Sequence, residues 1–373
     1  MPERVRLGIV GCGGATQVMY VPVLRHVQGL DVTALCDSST AALDRVQSLL
    51  RFAGPVYQDF DQMLQAARVD ALIIATPVHL HRDQVVKAAR AGKHVLCEKP
   101  MARTVAECDE MIAACEAAGV TLMVGFMKRF DKSMLHAKRL IDEGRLGTVY
   151  QLLCDWRGGQ FALGPFRTES PPWRTSRETL GGVFQDHGSH TTDLSRWWLG
   201  EITAVSGEFS LVGEHWDVEN SAVGVYLHEG GARSMHLMGF AHKAIREVYQ
   251  LDGRLSTLEL QYGPPWSFAS TDPFRMTLYE HGGRVETDLT QYHEAVLDVE
   301  LTASGRYKRE LDHFCASIRE GTRPLTSGAD GRKAIEVVNA VYLSAHLGEK
   351  VRLPLTISPD LECIFREARR SRG

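Results

Sequence analysis

The 373-residue sequence lacks the features that mark membrane, secreted and nucleic-acid-binding proteins. It has no apolar run of about eighteen residues, and its N-terminus leads into a predicted strand without the apolar stretch of a signal peptide. No block of basic residues occurs, and 42 Lys and Arg against 46 Asp and Glu give a formal net charge of −4. These absences predict a cytoplasmic protein with neither a membrane nor a nucleic acid as a partner.

Cysteine occurs without the spacing of a metal site. The eight cysteines form no Cys-x-x-Cys pair and are scattered mostly through apolar segments, which is typical of reduced core residues. Cys108 and Cys115 share one face of a predicted helix, but no histidine or further cysteine completes a ligand set. We predict that the protein holds no metal.

The length of the chain and the pattern of its first third predict two domains, the first with a parallel sheet. A chain of 373 residues exceeds the usual single domain. Apolar strands alternate here with helices, an order typical of a parallel sheet covered by helices, and we place this α/β domain at residues 1–126. The predicted strands are Leu7–Val10, Val32–Cys36, Ala71–Ala75, Val95–Cys97 and Thr121–Val124, and the predicted helices are Gln17–Val27, Ala41–Phe52, Gln84–Ala91 and Val105–Ala118.

Residues 127–373 show a different pattern, in which strands follow one another through short turns. This order predicts an α+β domain with a large open, mostly antiparallel sheet. Two closing helices, Lys308–Glu320 and Ala329–Leu347, could pack back on the first domain. The other predicted helices are Ser133–Glu143 and His187–Leu199, and the predicted strands are Thr148–Asp155, Ile202–Phe209, Ser221–Leu227, Ala232–Leu237, Ile245–Leu251 and Leu255–Leu260.

The segment RVRLGIVGCGGAT at residues 4–16 runs from an apolar strand into closely spaced glycines and then a helix. Gly11 permits a tight turn and Gly13 lets the backbone approach a pyrophosphate closely. The third glycine of the usual spacing is replaced by Thr16, or by Gly14 one step away. The pattern predicts a phosphate-binding turn in which the amides of Gly14, Ala15 and Thr16 open the next helix towards the phosphate.

Asp37 ends the second predicted strand, 24 residues after Gly13. An acidic side chain at this distance accepts hydrogen bonds from the adenosine ribose and repels a 2′-phosphate, which favours NAD over NADP. Ser38 could still bind a phosphate, so NADP stays possible. The alternative is that Asp37 only caps the helix that begins near Thr40.

Two further strand ends carry candidate ligand-binding residues. Thr76 and Pro77 follow the third strand, at the edge where open parallel sheets bind ligands, and His81 comes at the next turn. We expect His81 either to lie close to the cofactor or only to cap or pack at the start of the next helix. Glu98 and Lys99 end the fourth strand before a proline that stops the sheet, and Lys99 can bind a substrate hydroxyl and assist proton transfer. The alternative for Glu98 and Lys99 is an exposed ion pair.

The segment LGGVFQDHGSHTTDLSRWWLG at residues 180–200 places a glycine pair before a predicted helix. Asp186 and His190 are four residues apart and share a face of that helix, where they can hold a hydroxyl and remove its proton. His187 extends the group, although a metal site built from these neighbours alone is disfavoured. The alternative is a pair on the helix surface.

The irregular segment at residues 155–180 is rich in aromatic residues and arginines. The aromatic rings could stack on the apolar face of a sugar, and the arginines could hold hydroxyls, a carboxylate or a phosphate. The alternative is packing against another subunit. The aromatic residues are Trp156, Phe161, Phe166 and Trp173, and the arginines are Arg157, Arg167 and Arg174.

Eight segments occur in the order that one enzyme family shows, namely GIVGCGGAT, CDSST, TPVHLH, AGKHVLCEKPMA, VGFMKRF, GRLGTV, GGVFQDHGSH and TTDLSRWWLG. The chain thereby resembles the Gfo/Idh/MocA family of NAD(P)-dependent sugar and polyol oxidoreductases over essentially its whole length. The resemblance implies a Rossmann domain followed by an open sheet that often forms an oligomer interface, here in a homodimer or homotetramer. It also implies that Lys99 is the active-site lysine, that Asp186 and His190 lie on the substrate side, and that Arg129 lies near the cofactor or substrate.

We therefore expect reversible oxidation of a secondary alcohol on a cyclic polyol, sugar or glycoside, as in inositol dehydrogenases. In this hypothesis His190 accepts the hydroxyl proton, Lys99 polarises the oxygen, and Asp186 holds the substrate or orients His190; the lysine and histidine roles could be exchanged. Alternatives are an NADPH-dependent keto-sugar reductase, a redox-neutral enzyme that retains NAD, and a dinucleotide sensor without turnover.

Overall fold

A computed structural model describes residues 4–158, 172–177, 179–212, 216–241, 246–262, 275–280, 286–289 and 305–370 of the chain. The chain divides into two compact units. The first consists of Met1–Asp131 and Leu297–Arg332, and the second of Lys132–Val296 and Lys333–Gly373.

The first unit is built on a parallel sheet, as the alternating pattern predicts. Its strands are β1 (Val5–Val10), β2 (Leu30–Cys36), β3 (Val56–Tyr57), β4 (Ala71–Ile74), β5 (His94–Cys97) and β6 (Leu122–Val124). They are ordered β3-β2-β1-β4-β5-β6, so the chain reverses its direction of travel across the sheet after β3. The carboxyl ends of β1 and β4 therefore flank the point where such sheets bind ligands.

The helices of the first unit begin and end at the residues that capping chemistry favours. Ser39, Asp59 and Thr104 each accept a backbone N–H at a helix N-terminus, and Gly119, at φ +66°, ends the longest early helix. The sequence patterns missed β3 and the helix Phe60–Ala66, because both are too short to show a clear period. The helices are Val21–Leu24, Thr40–Leu50, Phe60–Ala66, His81–Arg90, Val105–Ala118 and Arg306–Glu320.

The core of the first unit joins the sheet to a helix from near the end of the chain. Leu7 and Ile9 of β1 are fully buried in one cluster with Leu311 and Phe314 of the helix Arg306–Glu320. Residues 306–320 thus complete the N-terminal unit, although they follow its first segment, Met1–Asp131, only after a long stretch of chain that belongs to the second unit.

The second unit is built on an open sheet that has nine strands in the described part of the chain. Most neighbours are antiparallel, as predicted, but β7 and β10 run parallel. The order is β14-β13-β12-β11-β7-β10-β9-β8-β15. The strands are β7 (Val149–Arg157), β8 (Ile202–Ser210), β9 (Ser221–His228), β10 (Arg233–Gly239), β11 (Arg246–Gly253), β12 (Ser256–Tyr262), β13 (Arg275–Glu280), β14 (Glu286–Asp288) and β15 (Val351–Arg352).

Helices of the second unit pack on the buried face of this sheet. Tyr226 of β9 and Tyr249 of β11 share an apolar cluster with Leu194 and Tyr342 from two of these helices. The sequence patterns missed β13, β14 and the last helix. The helices are Lys132–Asp142, Pro172–Thr175, Ser189–Leu199, Gly328–Leu347 and Leu361–Arg370, and the division between the two units falls within Gly328–Leu347.

Candidate active site

The glycine turn after β1 has the shape that a dinucleotide requires. Gly11 adopts φ +93°, and a Cβ placed there would lie 2.6 Å from the carbonyl of Ala75 at the end of β4. Only glycine allows this contact. A Cβ on Gly13 would meet no heavy atom within 4 Å, so the backbone there is open to a pyrophosphate. The turn therefore fits NAD.

The side chain of Thr16 points into the glycine turn, while the predicted contact of its amide with a phosphate stays a prediction. Its side chain is fully buried, and its hydroxyl donates a hydrogen bond to the Gly11 carbonyl. Thr16 thus closes the turn from within and opens a π-helical segment, Thr16–Tyr20, that precedes the helix Val21–Leu24. Gly14 and Ala15 are partly exposed, and their contact with a phosphate stays a prediction.

Asp37 is held at the end of β2 by two backbone amides. Its Oδ2 accepts from the N–H of Cys12 at 2.7 Å and its Oδ1 accepts from the N–H of Ser39 at 2.8 Å. The following helix is capped by Ser39, so the helix cap is not the role of Asp37. The carboxylate is tied to the glycine turn, the position that a ribose ligand needs. Ser38 beside it is exposed.

His81 supports two loops from inside the first unit. It is buried, with Nε2 2.8 Å from the carbonyl oxygen of Thr76 and Nδ1 3.1 Å from that of Pro100. Burial lowers the pKa of His81. His81 therefore has a packing role that joins the segment of Thr76 and Pro77 to that of Lys99 and Pro100, while its proximity to the cofactor stays a prediction. The hydroxyl of Thr76 is bonded to Gln84.

Glu98 folds back against its own turn and is not an exposed ion-pair partner. The hydroxyl of Tyr20 donates to Glu98 Oε1 at 2.6 Å, and the N–H of Lys99 lies 3.0 Å from Oε2. Gly125 allows this close packing, because a Cβ there would lie 3.2 Å from the carboxylate. Lys99 itself is half-buried at the end of β5, directly before Pro100.

Arg129 lies in a buried ion pair. Its side chain is 5% exposed, with its guanidinium 3.0 Å from the Leu325 carbonyl oxygen and 3.4 Å from Asp330 Oδ1. These contacts tie the segment after β6 to residues 325–330 of the same unit. In this unit Arg129 therefore has a structural role, and no direct contact with cofactor or substrate follows from its position.

Asp186 and His190 are both buried, so they are not a pair on the helix surface. Each is 3% exposed. The helical segment begins at Phe184, before the predicted start at His187. Asp186 lies in a π-helical turn, Phe184–Gly188, whereas His190 lies in the regular helix Ser189–Leu199. Spacing of four in a regular helix therefore does not describe their relative direction.

Arg174 and His187 complete a compact group around Asp186. Arg174 Nε lies 2.8 Å from Asp186 Oδ2, and His187 Nε2 lies 3.8 Å from the same oxygen. The Arg174 guanidinium also lies over the ring of Phe240, 5.5 Å from its centre. Two residues proposed for substrate binding, Arg174 and His187, are thus brought to Asp186.

Trp156 stands behind His187, which corrects its predicted role as a sugar platform. Its ring is 2% exposed and stacks on the imidazole of His187 with 3.7 Å between centres. Phe240 meets both rings edge-on. Trp156 therefore fixes His187 and presents no open face. Arg157 forms an ion pair with Asp155. The side chain of Trp173 lies outside the described part of the structure, as do the predicted residues Phe161, Phe166, Arg167 and Ile245.

Sequence analysis missed Glu219 and Tyr342, which lie under the turn that carries Asp186. Glu219 is fully buried, accepts the Phe184 N–H at 2.7 Å and accepts the Tyr342 hydroxyl at 2.9 Å. Burial raises the pKa of Glu219 to about 8. In the sequence, the glycine pair before the turn was the one feature that indicated a closely packed neighbour. The structure shows that neighbour to be the Glu219 carboxyl, which packs against Gly182.

No group of three or more His, Cys, Asp or Glu side chains arranged for a metal ion occurs among the residues that the structure describes. Within the same residues, no helix combines the length and apolar character needed to cross a membrane. Seven of the eight cysteines are buried.

Comparison with known proteins identifies the family of both parts of the chain. Residues 5–126 match the model of an oxidoreductase family with an NAD-binding Rossmann fold. Residues 134–259 match the model of the GFO/IDH/MocA C-terminal domain.

Relatives match over nearly the whole chain. D-apiose dehydrogenase of Paraburkholderia graminis is 29% identical over 94% of this chain and 90% of its own. Myo-inositol 2-dehydrogenase of Thermotoga maritima is 26% identical over 94% and 98%. The structure of aldose-aldose oxidoreductase from Caulobacter crescentus, complexed with glycerol, is 27% identical with a TM-score of 0.79 and covers 94% and 100%. The chain belongs to the Gfo/Idh/MocA family of oxidoreductases, and its first unit is an NAD-binding Rossmann domain.

Proposed function

We propose that this oxidoreductase oxidises a secondary alcohol of a sugar or cyclic polyol to a ketone, with NAD as the electron acceptor. The observation that carries the proposal is the buried group in which Arg174 and His187 lie against Asp186, in the turn directly before the helix that holds His190. Such a group holds and deprotonates a hydroxyl. The names of the apiose and inositol dehydrogenase relatives support a polyhydroxylated substrate.

The charges of this group favour a substrate without a charge of its own. The guanidinium of Arg174 is already compensated by Asp186 at 2.8 Å. A substrate carboxylate or phosphate would have to compete with Asp186 for Arg174. Hydroxyl groups can instead bind to both members of the ion pair at once, donating to Asp186 and accepting from Arg174.

In the proposed reaction the carbon–hydrogen bond of the alcohol breaks as a hydride and the oxygen–hydrogen bond breaks as a proton. Bound NAD supplies the hydride acceptor at carbon 4 of its nicotinamide. His190 takes the proton, Lys99 polarises the substrate oxygen, and Asp186 holds the substrate or orients His190. The roles of Lys99 and His190 are interchangeable in this scheme.

The cofactor preference is argued from Asp37. Its carboxylate lies at the end of β2, bonded to the amides of Cys12 and Ser39. A negative charge fixed there disfavours the 2′-phosphate of NADP. We therefore favour oxidation with NAD over reduction of a keto-sugar with NADPH.

Replacement of the proton-handling side chains tests the roles directly. We expect Lys99→Ala and His190→Ala each to lower kcat by about 10²- to 10⁴-fold, because general acid–base groups contribute that much. The dissociation constant of NADH, measured by fluorescence, should stay within about threefold. Exposed Lys350→Ala and His346→Ala serve as matched controls with ordinary turnover. Loss of NADH binding in both active-site variants would contradict these roles.

A further inference from the structure

The turn that carries Asp186 receives its N-terminal hydrogen bonds from a distant part of the chain. The first amides of a helix have no partner within the helix and need one from elsewhere. Val183, which precedes the turn, supplies no side-chain cap. The Val183 N–H donates to the backbone carbonyl of Glu219 at 3.3 Å, and the Phe184 N–H donates to Glu219 Oε1 at 2.7 Å.

Tyr342 supplies the next hydrogen bond and connects back to Glu219. The N–H of Gln185 donates to the Tyr342 hydroxyl at 3.0 Å, and that hydroxyl donates to Glu219 Oε1 at 2.9 Å. Three successive amides are therefore satisfied by one glutamate and one tyrosine. Glu219 lies two residues before β9 and Tyr342 lies in the helix Gly328–Leu347, so two separate segments hold the turn.

The glycine before the turn makes space for the Glu219 carboxyl. Gly182 adopts φ +111°, and a Cβ there would lie 1.9 Å from Glu219 Oε2. That oxygen is buried and has no hydrogen-bond partner among the described residues. The carboxyl group is therefore enclosed between the glycine backbone, Tyr342 and the turn, without water access.

We propose that Glu219 is a positioning residue, which acts with Tyr342 to fix the turn of Asp186 and whose ionisation changes the charge that the substrate-side group experiences. The proposal rests on the proposed function, because it concerns the same site. Glu219 contacts neither cofactor nor substrate in this scheme; it acts through the amides of the turn and through the field at Asp186.

The charged and titratable groups that face Glu219 define the expected pH dependence. Tyr342 faces it from its helix and Asp186 faces it from the turn, and Arg174 and His187 lie against Asp186. Burial, assisted by Asp186, raises the pKa of Glu219 to about 8. Above that pH a second negative charge is present near Asp186, which changes the electrostatic field at the substrate-side group.

Glu219→Gln tests the proposal, because the amide keeps the accepting Oε1 but cannot ionise. We expect kcat/KM of the wild type to show an inflection near pH 8 that is absent in this variant. Tyr342→Phe, which removes the acceptor for Gln185, should lower kcat by about 10- to 100-fold with little change in KM or in NADH binding. Exposed Glu349→Gln is the matched control and should keep the wild-type profile.

A measurement without substrate separates this inference from the proposed function. The ring signals of His187, followed by NMR, should show a step near pH 8 in the wild type and none in Glu219→Gln. A missing step in both proteins, or the same step in both, would overturn the inference. Absence of turnover together with the expected NMR difference would instead count against the proposed function alone. Thermal unfolding of each variant confirms that the comparison is made on folded protein.

Discussion

Glu310 is a buried carboxyl group that no sequence motif singled out. It is fully buried on the helix Arg306–Glu320, and neither of its oxygens has a hydrogen-bond partner among the described residues. Burial, with a smaller contribution from Glu98, raises the pKa of Glu310 well above its usual range. The group therefore stays protonated in the folded protein at pH values where it ionises in the unfolded chain.

The free energy of unfolding should consequently fall as pH rises above about 4.3, the ordinary pKa of glutamate. While the folded protein keeps the proton, this one group lowers stability by up to about 1.4 kcal/mol per pH unit. We expect Glu310→Gln to be close to the wild type near pH 5 and more stable near pH 8. Urea unfolding at both pH values measures this, with exposed Glu320→Gln as the control. An equal difference at both pH values would contradict the explanation.

Individual residue roles could be predicted only where the local sequence determines them. Asp37 and Lys99 end strands, so their positions follow from the strand pattern. For His81, Arg129 and Trp156 the sequence could not show the partners, such as Pro100, Asp330 and His187, because these contacts depend on how distant segments pack. Such contacts leave no periodic signal in one sequence.

At the scale of elements, the two first glycines of the β1 turn have different functions that substitution should separate. Gly11→Ala should lower the free energy of unfolding by about 1–3 kcal/mol, because its φ is +93° and its Cβ would meet the Ala75 carbonyl. Gly13→Ala should leave stability nearly unchanged and weaken NADH binding at least about tenfold, because its methyl group would occupy the open space.

Thermal unfolding and NADH fluorescence titration measure the two effects. Gly230→Ala, at a position with open space and no positive φ, is the control for the substitution itself. The assignment of the turn would be wrong if Gly13→Ala bound NADH as tightly as the wild type.

Most strands and helices could be predicted from hydrophobic periodicity. The features that could not be predicted in this way have physical causes. The two π-helical segments, Thr16–Tyr20 and Phe184–Gly188, both lie directly before a regular helix, and the backbone amides of the second are held there by residues distant in sequence. The parallel pairing of β7 with β10 depends on the long connection between them. Neither feature has a composition that distinguishes it from an ordinary helix start or strand.

At the scale of the whole molecule, the α/β class and the family could be predicted, because alternation and several ordered motifs act together. The substrate could not, because the aromatic and arginine-rich segment has no pattern that selects one sugar or polyol, and its described members Trp156 and Arg174 contact His187 and Asp186. A homodimer or homotetramer stays a prediction. Val223 and Val225, 41% and 40% exposed on one face of β9, are the residues to examine for it.

The central claim is NAD-dependent oxidation of an uncharged sugar or polyol, and a substrate panel tests it most directly. The absorbance of reduced nicotinamide is followed with NAD⁺ or NADP⁺ and inositols, free sugars, glycosides or sugar acids. We expect turnover with an uncharged sugar or polyol, and a higher kcat/KM with NAD⁺ than with NADP⁺. Turnover only with sugar acids, a preference for NADP⁺, or no reduction at all by a protein that binds NADH would contradict the claim.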